Sequence, residues 1–166
     1  MMPKEPPPRN PIRKYQRKAS AARRIGAGKK CACGESRPEA LIKGSNPTIC
    51  AACQRKGQGK SICDAHHVAG KSNSNATVPV PVNDHRAVLS PAQHDWPKDT
   101  LENPDGNPVL AAAASIRGFV DTLVYLMKEL LLRIANMLET YNASMVEQHG
   151  PGWWEKTDLR KFTPRR

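Results

Sequence analysis

The chain has 166 residues, 39% of them hydrophobic and 5% aromatic, with 15 prolines, which leaves room for one modest core with appendages and excludes two full domains. Its net charge of +11 points to a polyanionic partner. Five cysteines, an odd number in close pairs, with no apolar run after the initiating Met, lead us to expect a reducing, cytoplasmic setting and metal rather than disulfides.

Residues 1–30 hold ten Lys/Arg against one acid, Glu5, and so carry +9 of the +11. Such an arm binds nucleic acid through counterion release, largely without regard to sequence. It is expected to be a flexible, disordered basic arm with at most one or two helical turns around Tyr15–Arg24. Pro6, Pro7, Pro8 and Pro11 spoil the amphipathic start that a mitochondrial presequence would need.

Next come Cys31-Ala-Cys33-Gly34 and Cys50-Ala-Ala-Cys53, separated by the turn formers Gly34, Pro38, Gly44, Ser45, Asn46 and Pro47. Two close pairs of thiolates suit tetrahedral zinc, and four thiolates leave no open position, so the zinc is expected to be structural. Cys63 is the alternative to Cys31 as fourth ligand. Gln54–Lys60 reads as a basic connector, with Arg55, Lys56 and Lys60 as candidate phosphate contacts.

Ile62–His67 reads as a short strand and residues 71–76 as a polar loop. Thr77–Val82 alternates β-branched residues with proline, an edge strand at best. Asn83 or Asp84 is placed to cap a short helix through Arg86–Leu89, and residues 95–108 read as loop.

Residues 109–148 contain no proline and one glycine, Gly118, and predict one long amphipathic helix. Ile116, Val120, Leu123, Met127, Leu130, Ile134, Met137 and Tyr141 alternate steps of four and three, and Val124, Leu131, Leu138 and Met145 add a second row. A stripe this wide requires a cover, either the preceding module or a second copy in a homodimer. A membrane is disfavoured because the window Phe119–Leu138 holds Asp121, Lys128, Glu129 and Arg133, each costing about 2.5–3.5 kcal/mol near the centre of a span. His149-Gly150-Pro151-Gly152 should end the helix, leaving a basic tail over 149–166.

Four of the five histidines, His66, His67, His85 and His94, fall in or near one stretch. Adjacent strand residues point opposite ways, so His66 and His67 should divide their work, one ligating a cation and the other accepting a proton. The run Asp64-Ala-His-His-Val-Ala-Gly, an Asn-rich loop and His85 at a helix start resembles the HNH endonucleases of the ββα-metal (His-Me finger) class, small bacterial or phage proteins in particular. The similarity covers roughly residues 31–97.

That resemblance implies a small α+β fold: a zinc-stapled ββα-metal module at 31–97 followed by the long C-terminal helix. It implies His67 as general base, His66 and His85 as ligands of a catalytic Mg²⁺ or Mn²⁺, and a middle asparagine, Asn75 by spacing, with Asn73 and Asn83 as rivals. Arg86, with Lys71 and the connector cations, would grip phosphates of DNA or RNA. The implied setting is the cytoplasm of a bacterium or phage-infected host. Two positions depart from the pattern. Pro81 and Asp84 stand where many relatives carry a C-x2-C, and Leu89 stands one turn after His85. The alternatives are a non-catalytic, zinc-dependent nucleic-acid-binding protein and a dimerisation or docking protein built on the helix.

Overall fold

The computed structural model describes residues 11–162, and these divide into two compact units with the boundary between Leu123 and Val124. The fold is small α+β, with one two-stranded sheet among the described residues and a 42-residue helical run, Pro108–His149. Pro6, Pro7 and Pro8 of the basic arm, and Arg165 and Arg166 of the tail, lie outside the described residues.

The first unit opens with α1 (Pro11–Ile25), where little more than one or two helical turns was expected. The helix is fixed at two places. Ala21 is buried, and Arg17 donates to the Asp95 carboxylate and to the Pro91 carbonyl. Ile25 at its end packs on Cys31, Leu41 and Cys50. The segment from 11 to 25 is thus helix with anchors, because charge count alone does not register one buried alanine and one paired arginine.

After the cysteine turn at 31–34, Leu41 and Cys50 form an antiparallel bridge, and α2 (Ala51–Gly57) starts directly on Cys50, whose sulfur accepts from the Cys53 N–H. Strands β1 (Cys63–His67) and β2 (Thr77–Pro81) pair antiparallel, with His66 opposite Val78 and His67 opposite Thr77. Pro79 and Pro81 are tolerated because the sheet has only these two strands, so a proline nitrogen can face the outer edge.

Helix follows at once: α3 (Val82–Asp84), a π-turn over His85–Leu89, and α4 (Ser90–Gln93). Ser90 N–H reaches back five residues to the His85 carbonyl. Pro91 has no N–H to offer Ala87 and its ring crowds that carbonyl, which accounts for the wider turn. Neither Asn83 nor Asp84 caps this helix; both side chains reach instead to the cysteine module, as described below. Leu89 is fully buried.

Within the expected loop 95–108 lies a short helix, α5 (Lys98–Glu102), ended by Asn103 in the left-handed conformation, which asparagine tolerates. Asn107 then caps α6 (Pro108–Val124): its side-chain oxygen accepts from Val109 N at 2.8 Å, and Pro108 fills the first helical position, where no N–H is needed. Ala114, Gly118 and Asp121 are the buried residues of α6. A β-carbon at Gly118 would lie 1.7 Å from the Val68 carbonyl oxygen, so glycine is what lets the helix approach the end of β1 this closely. Ala114 completes a core with Ala69 and Trp96.

Within the first unit, the expected apolar stripe is therefore not the inward face of α6. Ile116 is 67% exposed and Leu123 46%; the face turned inward carries small residues and one aspartate.

In the second unit, a π-turn at Tyr125–Leu130 leads into α7 (Leu131–His149), none of whose residues is buried. Leu131, Ile134, Met137, Leu138 and Tyr141 are exposed. Gly150, at φ 81°, ends α7 and returns its N–H to the Val146 carbonyl. Trp153 folds back, its indole N–H 3.0 Å from the Asn142 side-chain oxygen and its ring edge-on to Tyr141. By length and composition Pro108–His149 could cross a membrane, with 22% of its most apolar window buried.

Candidate metal centre and histidine site

The sulfurs of Cys31, Cys33, Cys50 and Cys53 all lie within 4.8 Å of one another. Four such thiols can hold a metal ion such as zinc. Cys33 Sγ and Cys50 Sγ are 3.6 Å apart. Cys63 is exposed at the start of β1 and outside this group, so Cys31, not Cys63, is the fourth member. The two halves of the cluster arise from different local devices: Gly34, at φ 92°, closes the tight Cys31–Gly34 turn, and the first turn of α2 presents Cys50 and Cys53 together. Hydrogen bonds from the backbone of Cys33 lower the Cys31 thiol to about 6. Sharing the site with the other three thiols pushes Cys53 up to about 12. Thiolates packed this closely repel one another unless a cation lies among them.

Two side chains from α3 lock this module to the strand–helix unit. Asn83 Oδ1 accepts from Ala52 N at 2.9 Å, satisfying an open N–H in the first turn of α2, and its amide donates to Glu35 Oε2. Arg37 donates to Glu35 and, at 2.8 Å, to Asp84, which is 1% exposed. The Arg37 guanidinium holds the Glu35 carboxyl below its ordinary range, and the carboxylates raise Arg37 in return.

The histidines occupy the adjoining face. Alternation along β1 turns His66 inward, to 1% exposure, while His67 stays partly exposed on the other side. His85, on the π-turn, meets His66 edge-on with ring centroids 5.1 Å apart. Neither ring nitrogen of His66 has a hydrogen-bond partner among the described residues. A fully buried imidazole with both nitrogens idle is costly. Burial, with His85 and His67 nearby, lowers His66 to about 4, so it is neutral and able to donate a lone pair at neutral pH. His94 is exposed.

Asp64 links the two regions. Its Oδ2 lies 2.9 Å from His85 Nδ1 and its Oδ1 lies 2.6 Å from Arg55 Nη2. Burial raises the Asp64 carboxyl, but the hydrogen bonds from His85 and Arg55 outweigh it and the net shift is downward. Arg55, expected among the phosphate contacts, is partly exposed and paired with Asp64. Lys56, Lys60, Lys71 and Arg86 are exposed and remain open to an anionic ligand.

The loop between the strands is organised by Asn73 rather than Asn75. Asn73 donates to the Ala69 and Thr100 carbonyls at 3.1 and 2.9 Å and accepts from Asn103. Asn75, two residues further on, is exposed. Spacing cannot separate two asparagines so close together in one loop; only the bonds do. Gln93, which the sequence reading passed over, donates to the His67 and Val68 carbonyls at 2.6 and 3.2 Å and so fixes the backbone that carries His67. On the far side, Trp96 donates to Asp121 at 2.8 Å.

No protein-family model, no curated protein and no solved structure matches this chain.

Proposed function

We propose that the protein is an HNH-type, ββα-metal endonuclease that hydrolyses phosphodiester bonds in DNA, with a structural zinc in the four-cysteine cluster and one divalent cation at His66 and His85. The observation that carries this reading is His66: a buried, neutral imidazole with both nitrogens unpartnered, set against a second imidazole whose Nδ1 is already engaged by Asp64. The order of strand, strand and helix, with His66 and His67 on opposite faces of β1, fits the same reading.

His67 is the general base. Its partly exposed ring takes a proton from water, the water oxygen attacks phosphorus, and the bond from phosphorus to the 3′ oxygen breaks, the released oxygen taking a proton in turn. A bound Mg²⁺ or Mn²⁺ supplies positive charge against the phosphate oxygens and the departing oxygen. Gln93 and Asn73 keep the His67 backbone and the following loop in place. Lys56, Lys60, Lys71 and Arg86, with the cations of residues 1–30 other than the paired Arg17, hold flanking phosphates, a contribution that weakens steeply with salt.

Cleavage of supercoiled plasmid in the presence of Mg²⁺ or Mn²⁺ tests the proposal. Wild-type protein nicks or linearises the plasmid, while His66→Ala and His85→Ala do so far less at low cation and recover partly at raised Mn²⁺. Wild-type protein that binds the plasmid and never cuts it under either cation would favour a non-catalytic DNA-binding role.

A further inference from the structure

Zinc-type ligands and histidines occupy different parts of the sequence, yet one chain of contacts joins them. Cys50 and Cys53 fix the first turn of α2, and Arg55 stands on the same helix two residues after Cys53. Its guanidinium spans three groups: Asp64 Oδ1 at 2.6 Å, and the Ser61 and Cys63 carbonyls at 3.4 and 3.3 Å. The carboxylate so held presents Oδ2 to His85 Nδ1 at 2.9 Å.

An ionised carboxylate only accepts, so His85 carries a hydrogen on Nδ1, which in the neutral ring leaves Nε2 as the nitrogen with a lone pair. A carboxylate behind an imidazole in this way fixes the ring's tautomer and orientation and raises its basicity toward a metal. Arg55 does the same one step further back, because Asp64 without it could rotate away from His85.

We propose that Arg55 and Asp64 are positioning residues that hold His85 as an Nε2 ligand, and that they set the divalent-cation affinity of the His66–His85 pair from the helix that begins at the cysteine cluster. This rests on the endonuclease reading only insofar as the histidine pair binds a cation.

The test is Mn²⁺ titration of the full, zinc-loaded chain by calorimetry, with nitrogen chemical shifts of the His85 ring read in the same variants. Asp64→Ala weakens Mn²⁺ binding by roughly 10–100-fold, the range seen when such outer partners are removed, and the His85 shifts move from one tautomer to a mixture. Arg55→Gln changes both readouts in the same direction by less, and Arg55→Lys, which keeps a cation beside Oδ1, recovers most of the loss. Zinc content stays at the wild-type value in all of them. If Asp64→Ala does not fold, Asp64→Asn, of equal shape and no charge, carries the test with the same expected direction. If His66→Ala and His85→Ala abolish Mn²⁺ binding while the Asp64 variant that folds keeps wild-type affinity and tautomer, the positioning role is overturned and the cation site stands. If the two histidine variants bind Mn²⁺ like wild type, the cation site itself falls, and the positioning role with it.

Discussion

Replacing Gly118 by alanine should destabilise the protein although it improves the helix. In an isolated helix, alanine is favoured over glycine by roughly 0.8–1.0 kcal/mol. Here the new β-carbon would stand 1.7 Å from the Val68 carbonyl oxygen and 2.5 Å from the carbonyl carbon. Both are backbone atoms at the end of β1, one residue after His67, and no side-chain rotation relieves the overlap. Overpacking costs about 1–3 kcal/mol when side chains can yield, and more when they cannot. With a cost of about 3 kcal/mol or more set against a gain of about 1, the net loss is about 2 kcal/mol or more. Gly57 supplies the control. It ends α2 with nothing within 4 Å of its would-be β-carbon, so Gly57→Ala should be neutral or stabilising by up to about 1 kcal/mol. Equilibrium denaturation by urea reads both. A Gly118→Ala protein as stable as wild type, or more so, would refute the close approach of α6 to Val68.

Four further outcomes follow from the structure. Zinc analysis of purified protein should give about one ion per chain; Cys50→Ser should lose it and unfold the module, while Cys63→Ser should keep it, and equal zinc in both variants would contradict the cluster. His66 titrates near 4 in the cation-free fold against 6.5 when unfolded. Its stabilising contribution is therefore complete above pH 6.5 and is lost as pH falls toward 4, where the unfolded chain holds the extra proton; His66→Phe should flatten that stretch of the stability–pH curve, and an unchanged slope would count against burial of the neutral ring. Leu123→Glu with Leu130→Glu should leave urea stability within about 0.5 kcal/mol of wild type, since both side chains are exposed. A large loss would place the stripe in a core after all, and a lighter particle in sedimentation would show that a second copy had covered it. Finally, Asn73→Ala should destabilise more than Asn75→Ala, by about 1–3 kcal/mol, because it strands carbonyls that Asn73 now satisfies.

What the sequence disclosed was what repeats or stands close together along the chain. The spacing of Cys31, Cys33, Cys50 and Cys53 announced their cluster, alternation with proline marked β2 as an edge strand, and the run without proline from 109 to 148 marked the long helix. What it withheld were the pairings between distant residues. Arg55 reads as one more cation in a basic connector until Asp64 is seen beside it, and Asp84 reads as a helix cap until Arg37 reaches it. The inward face of α6 went unread for a related reason. Hydrophobic periodicity weighs large side chains, whereas the buried face of α6 is Ala114, Gly118 and Asp121, where close approach depends on having little side chain at all. A helix of five residues such as α5, between Pro97 and Asn103, is too short to register in any period.

The central claim is that His67 moves a proton while His66 and His85 hold the cation, and one paired measurement addresses it: plasmid cleavage and Mn²⁺ affinity on the same preparation of His67→Ala. General-base assistance contributes about 10²–10⁴-fold in rate. The account predicts a loss of cleavage of that size with Mn²⁺ affinity and DNA binding unchanged, and full cleavage by His67→Ala, or loss of Mn²⁺ affinity in step with activity, would contradict it.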